Sequence, residues 1–417
     1  MRILLWHGYL LDGTGSNVYT RSLAREWSRA GHEVIVVSQE PDPERYDIGG
    51  ARTLRPELPG GLLPVFVLDR YAGLEPKLLQ DFTSGEREAY IEANAAALRG
   101  LLPADIVFTN HVLMGGAVGT ALGVPFRVKA HGSELEYSMR GRPELERWGR
   151  DSLAGAEAVY VGSQHIREVL EEVCGHVDRV FEVPPGVDVD EFVPQPRDEA
   201  LAALLEEAIA DQPNPGNRHE RLPDEGNAAR LAAFFAHEAP TVVYFGKLIE
   251  NKGVQLLLEA LGSLEARAVI VGFGDYRQEL EGLASGLPGR VLFTGPLEHR
   301  HLVHLLPLAD AAVVPSIFPE AFGMVAAEAA ACGCPPLVAR HSGLAEIATG
   351  LEAAYPEHLR PLAAFTSGDV DGLREKLAAL LALSSADRGA LRAAARRTVE
   401  ERWSWASVAA RLLAPVA

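Results

Sequence analysis

Short apolar runs alternate with amphipathic helical stretches along most of the 417-residue chain, and two such series of comparable size flank the proline- and glycine-rich segment Val183–Pro196. Alternation of this kind builds parallel sheets from βαβ units, and the length exceeds one ordinary domain. The predicted class is therefore α/β, with two Rossmann-like domains facing each other across a cleft. A net charge of −18 with 47% hydrophobic residues describes a soluble globular protein and argues against nucleic acid or anionic lipid as the main partner. Any phosphate-bearing ligand must then find local positive potential.

In the first half the apolar runs place strands at Arg2–Trp6, Glu33–Ser38, Asp105–Thr109, Phe126–Ala130, Ala158–Val161 and Arg179–Val183. The Leu23–Ala30 helix stops at Gly31, a residue suited to a helix C-terminus. The second half places strands at Thr241–Phe245, Ala268–Val271, Val291–Thr294, Ala311–Val314 and Pro336–Ala339. Residues 197–239, helical at both ends and broken by Gln212-Pro213-Asn214-Pro215-Gly216-Asn217, read as a surface helical insertion rather than a lid. The apolar start Ile3–Trp6 is too short for a signal peptide and no run approaches a membrane span, so the expected compartment is the cytoplasm. Three cysteines cannot form a paired framework and read as small, reduced, buried side chains. His299, His301 and His304 lack the acidic partner a metal site would want.

Pro319-Glu320-Ala321-Phe322-Gly323-Met324-Val325-Ala326-Ala327-Glu328 carries the most chemistry. It reads as a helix start with a carboxylate, a glycine that lets a ligand approach free amides, and a second carboxylate eight residues on. At about 1.5 Å per helical residue the eight residues cover roughly 12 Å, a span suited to a diphosphate with a polyhydroxyl group at each end. Only five of the 39 basic residues are lysines, yet Lys247 and Lys252 fall together just beyond a strand, where compact ammonium charges suit phosphate. Gly13-x-Gly15-x-x-Val18 and Gly272-Phe273-Gly274 both lack the third glycine of a dinucleotide loop, which disfavours an oxidoreductase. His131-Gly132 follows a strand at the carboxyl edge of the first sheet, where functional groups concentrate; His7 and His111 share that placement.

Taken in order, Gly246-Lys247, Lys252-Gly253, Gly272-Phe273-Gly274, the Glu320-to-Glu328 stretch and Gly343-Leu344-Ala345-Glu346 resemble the large family of retaining GT-B glycosyltransferases that includes sucrose synthase and the phosphatidylinositol mannosyltransferases. Gly13–Asn17, Gly31–Val34, His131-Gly132, Ser163 and Pro185–Asp188 extend the resemblance through the first half. It implies an acceptor-binding domain over 1–190, a donor-binding domain over 191–395 and a C-terminal helix over 396–417 that crosses back. By position it implies catalytic roles for Glu320, His131 and Lys252. Gly15, Lys247, Lys252, Gly274, Phe322, Gly323, Met324, Val325 and Glu328 would contact a nucleotide-sugar donor, most often UDP-linked, with Glu328 on the ribose. Lys247 stands where arginine is commoner, which keeps the charge and loses the bidentate fork.

The resemblance implies retention of anomeric configuration, and with no obvious nucleophile in the sequence front-face transfer to an unidentified acceptor is expected. The lysines and helix amides can meet the charge that develops on the leaving diphosphate, so no metal and no other cofactor is expected. An epimerase or phosphorylase on the same scaffold, or a non-catalytic sugar-nucleotide binder, is the alternative. Trp403 and Trp405 leave peripheral membrane contact as a further one, against a closing helix that packs on the first domain.

Overall fold

The computed structural model describes residues 1–11, 14–66 and 73–416. They form two compact units, Met1–Gly186 with Trp405–Ala417, and Val187–Ser404. The first crossing falls inside the expected proline- and glycine-rich segment. The second lies later than expected, because residues 396–404 belong to the second unit and only Trp405 onward joins the first.

The first unit contains β1 (Arg2–Trp6), β2 (Glu33–Val37), β3 (Arg52–Leu54), β4 (Leu62–Val65), β5 (Glu75–Leu78), β6 (Ile106–Asn110), β7 (Phe126–Lys129), β8 (Ala156–Val161) and β9 (Val180–Glu182). Seven of them make a parallel sheet in the order β3-β2-β1-β6-β7-β8-β9, and β4 pairs with β5. Ile3, Leu4, Leu5 and Trp6 are all fully buried, as a parallel strand covered on both faces requires. One face packs around Leu4, Trp6 and Val128, the other around Ile3, Leu5, Tyr19 and Trp27. The closing helix Trp405–Leu413 covers this second face: Trp27 Nε1 donates to Ala409 O at 2.9 Å and Arg127 donates to Leu412 O at 2.6 Å.

The second unit contains β10 (Thr241–Phe245), β11 (Arg267–Val271), β12 (Val291–Gly295), β13 (Ala311–Val314), β14 (Pro336–Arg340) and β15 (Ala364–Thr366), parallel in the order β12-β11-β10-β13-β14-β15. Where the chain enters and leaves this unit, Val187 N–H donates to Trp403 O at 2.7 Å. Every strand expected from the apolar runs is present, with ends displaced by at most two residues. β3, β4, β5 and β15 have no counterpart among those runs, since each is three or four residues long and β4 and β5 contain proline.

Residues 197–239 lie at the surface of the second unit, with the inner faces of their helices joined to its core. Their helices, Arg197–Ala210 and Asn227–Phe235, bury Ala200, Leu204 and Leu231 completely in the second core. Asp224, 2% exposed, accepts two hydrogen bonds from Arg277 at 2.9 and 2.6 Å, and Arg300 reaches Glu207 and Asp211 at 2.6 Å each. The segment is an integral layer of the unit. Cys174, Cys332 and Cys334 are all buried thiols.

Candidate active site

In the second sheet the strand order reverses between β10 and β13. Ligands of doubly wound sheets bind outside the carboxyl ends of the strands at such a point. The loops that leave these two strands are pressed together there. Gly253 has φ +70°, and a Cβ on it would overlap the carbonyl oxygen of Pro315, so this position requires glycine on both counts. Asn251 O accepts the Ile317 amide at 3.0 Å. The contact brings Lys252 to Glu320, whose Oε1 accepts a hydrogen bond from the lysine ammonium. Lys247 lies exposed on the β10 loop, and its carbonyl accepts the Tyr244 hydroxyl at 2.8 Å. Burial raises the Tyr244 phenol above its ordinary range, helped by the negative charge of Glu320, so this hydroxyl stays a donor.

The turn after β11 completes the rim. A Cβ on Gly272 would overlap Gly246 O, and one on Gly274 would overlap Leu248 O, while Leu248 N–H donates to Phe273 O at 2.7 Å. Packing between these two turns is a sufficient reason for glycine at 272 and 274, apart from any approach of a ligand.

The Glu320 stretch differs from the helix start expected for it. The helix runs from Met324 to Ala331, so Pro319 and Glu320 precede it and only its first half-turn onward rises helically toward Glu328. Tertiary bonds hold the preceding turn instead: Glu320 N–H donates to Ser342 Oγ at 2.8 Å and Glu320 O accepts the Gly343 amide at 2.9 Å. Gly323, at φ +109°, turns the chain into the helix without any side-chain cap. The first helical hydrogen bonds run from Ala326 and Ala327 to Gly323 O. The amides of Met324 and Val325 thus lie ahead of them at the positive end of the helix, with Phe322 buried beneath. Glu328 is 8% exposed; burial pushes its carboxyl up, partly opposed by His299, whose Nε2 is 3.8 Å away.

The first unit gathers the predicted histidines at the corresponding edge of its own sheet, where the order reverses between β1 and β6. His7 pairs with Asn17 at 2.8 Å and His131 with Asn110 at 2.9 Å. The rings of His111 and His131 are 4.6 Å apart, those of His7 and His111 5.7 Å. Burial holds all three imidazoles below their ordinary value, His7 at about 4, with neighbouring positive charge adding to the effect at His111 and His131. Beneath them Glu134 is fully buried and accepts the Val112 amide at 2.6 Å, yet burial still pushes its carboxyl up to about 8. Gly15 opens the helix Gly15–Arg29, capped by Thr14, with open space where a Cβ would stand. Gly13 lies outside the described residues.

The second unit therefore brings Lys252 and Glu320 into contact, with Lys247, Gly274, Phe322 and Gly323 on loops of the same sheet edge, Met324 and Val325 opening the helix and Glu328 one turn into it. His131 and Gly15 stand at the edge of the first sheet. Sequence reasoning did not single out Tyr244, Asn110, Glu134, His341 or Ser342. His341-Ser342 directly follows β14 just as His131-Gly132 follows β7, and that shared placement was the available signal.

Two family models match the chain. The one described as Glycosyltransferase Family 4 covers residues 13–191, and the one described as Glycosyl transferases group 1 covers 227–398. Sucrose-phosphate synthase from Thermosynechococcus elongatus shares the fold at a TM-score of 0.66 and 21% identity, covering 99% of this chain and 97% of that one. Anabaena Alr3699/HepE in complex with UDP and glucose shares it at 0.67 and 17% identity, covering 99% and 98%. Two doubly wound units of this kind are the GT-B fold. Among curated relatives, the D-inositol 3-phosphate glycosyltransferase of Xylanimonas cellulosilytica is 30% identical over 96% of this chain and 91% of its own length. A GDP-mannose-dependent monoacylated alpha-(1-6)-phosphatidylinositol monomannoside mannosyltransferase of Corynebacterium glutamicum is 26% identical over 72% of each chain. The chain belongs to the family 4 glycosyltransferases, with a group 1 glycosyl transferase domain as its second half. Residues 192–226 lie between the two matched segments.

Proposed function

We propose that the enzyme transfers a sugar, with retention of anomeric configuration, from a nucleoside diphosphate sugar bound at the edge of the second sheet. The observation that carries this reading is the Lys252–Glu320 contact at the switch point, beside an uncapped helix start opened by Gly323. Negative charge growing on the departing diphosphate meets Lys252, Lys247 and the amides of Met324 and Val325; Glu320 faces the sugar. In the transfer the C1–phosphate oxygen bond breaks, the acceptor oxygen bonds C1 from the same face, and the leaving phosphate takes the acceptor proton. Two lysines and a helix end supply positive charge at that spot, so the reading needs no divalent metal, and activity should survive EDTA.

The proposed nucleotide is UDP, on the family resemblance; GDP, named for the mannosyltransferase relative, is the rival. The acceptor class proposed is an inositol bearing a phosphate, the feature common to the names of both relatives. Incubation with UDP-glucose, UDP-N-acetylglucosamine or GDP-mannose, with and without D-inositol 3-phosphate, tests both. Acceptor-dependent release of nucleoside diphosphate, with an α-linked product by NMR, is expected. An epimerase or phosphorylase would form no such glycoside, and failure of UDP and GDP alike to raise the melting temperature would remove the donor site altogether.

A further inference from the structure

Ser342 is a serine at φ +46°, a left-handed conformation that non-glycine residues seldom adopt, and it stands at the first position of the helix Ser342–Ala354. Its hydroxyl joins two partners. Oγ accepts the Glu320 amide at 2.8 Å and lies 3.0 Å from His341 Nδ1. The opposite ring nitrogen of His341, Nε2, is 2.6 Å from the carbonyl oxygen of Ser316, at the other end of the same loop. Ser316 O can only accept, so Nε2 carries a proton; in the neutral ring Nδ1 is then bare and takes the serine proton, while Oγ accepts the Glu320 amide.

We propose that His341 and Ser342 are positioning residues for Glu320, fixing through this chain of hydrogen bonds the backbone that carries its carboxylate to Lys252. Gly343 strengthens the strap, because its amide holds Glu320 O at 2.9 Å and a Cβ there would lie 2.5 Å from Phe322 Cα. A serine kept where glycine is the easier residue is explained by the hydroxyl. The proposal rests on the donor-site reading above and goes beyond it by assigning two residues that touch neither sugar nor phosphate. Held at both Ser316 and Glu320, the loop leaves the carboxylate little lateral freedom, and small misplacements of a reacting group are costly in turnover.

The full-length enzyme carries the test. Nucleoside diphosphate release from UDP-glucose and from GDP-mannose is measured for wild type, Ser342→Gly, His341→Asn, His341→Ala and Glu320→Gln. Ser342→Gly suits the left-handed backbone, so its melting temperature should not fall, while kcat should drop by about ten- to a hundredfold with donor KM within about threefold. His341→Asn keeps an acceptor near the Nδ1 position and should retain more turnover than His341→Ala. A Ser342→Gly enzyme within twofold of wild type, alongside an inactive Glu320→Gln, overturns the positioning role alone; an active Glu320→Gln overturns the donor-site reading instead. Independently of turnover, ¹⁵N NMR of the histidine-labelled protein, with His341→Asn for assignment, should place the ring proton on Nε2 and show Nδ1 as an acceptor whose shift changes in Ser342→Gly. A proton on Nδ1 overturns the proposal.

Discussion

Lys252 and Glu320 touch across the loops that leave β10 and β13, so a cation suited to phosphate and a carboxylate suited to sugar hydroxyls form an ion pair. Each neutralises the other. Lys252→Ala and Glu320→Gln are each expected to lower kcat by about a hundred- to a thousandfold, the range for losing one fixed electrostatic contact to a transition state. Steady-state kinetics with circular dichroism to verify folding provides the check, and wild-type rates in either variant would contradict the assignment.

Glu328 is nearly buried beside His299, and we propose that it binds the donor ribose. Losing a hydrogen bond to a charged group costs about 1.5–3 kcal/mol, so Glu328→Ala should raise donor KM by about ten- to a hundredfold while leaving kcat within a few-fold. A fall in kcat at unchanged donor affinity would place this side chain in the chemical step instead.

Glycines 15 and 253 separate a ligand role from a packing role. Ala at 253 would sit at φ +70° against Pro315 O, and strain of about 2–3 kcal/mol should lower the melting temperature by roughly 5–10 °C. Ala at 15 meets nothing within 4 Å, so thermal stability should be unchanged while donor turnover falls, if this loop approaches the diphosphate. Calorimetry and kinetics on the two variants give opposite signatures, and an inert Gly15→Ala would withdraw Gly15 from the site.

Glu134 makes stability depend on pH. Its folded carboxyl is pushed up to about 8 from an ordinary 4.5, so between these values the native state holds a proton that the unfolded chain has released. This contribution is fully present below about 4.5 and declines as pH rises, until it is lost above about 8. Glu134→Gln is neutral throughout, so the difference in melting temperature between wild type and variant should shift against wild type from pH 5 to 8.5. A constant difference would show that the amides of Val112 and Leu113 keep the carboxylate ionised.

Both sheets were legible because parallel strands buried on two faces, such as Ile3–Trp6 and Val242–Phe245, must be written as apolar runs. The edge strands Arg52–Leu54 and Glu75–Leu78 carry no such pattern, and pairing alone defines them. Lys247, Lys252 and Glu320 could be named from their types and placement after strands. The helix start beside them was misread, because the Gly343 amide takes the Glu320 carbonyl that helix formation would have used and Ser342 Oγ accepts the Glu320 amide. How residues 197–239 attach to the core was hidden for a similar reason: Asp224 gains its meaning only from Arg277, 53 positions away.

The path of the polypeptide has a consequence for biosynthesis. The ribosome delivers the strands of the first unit, then the whole second unit, and only afterwards the helix Trp405–Leu413 that shields Trp27 and receives Arg127. The later unit is a continuous stretch and can close as soon as it emerges. The earlier one must wait with an apolar flank bare until that helix arrives.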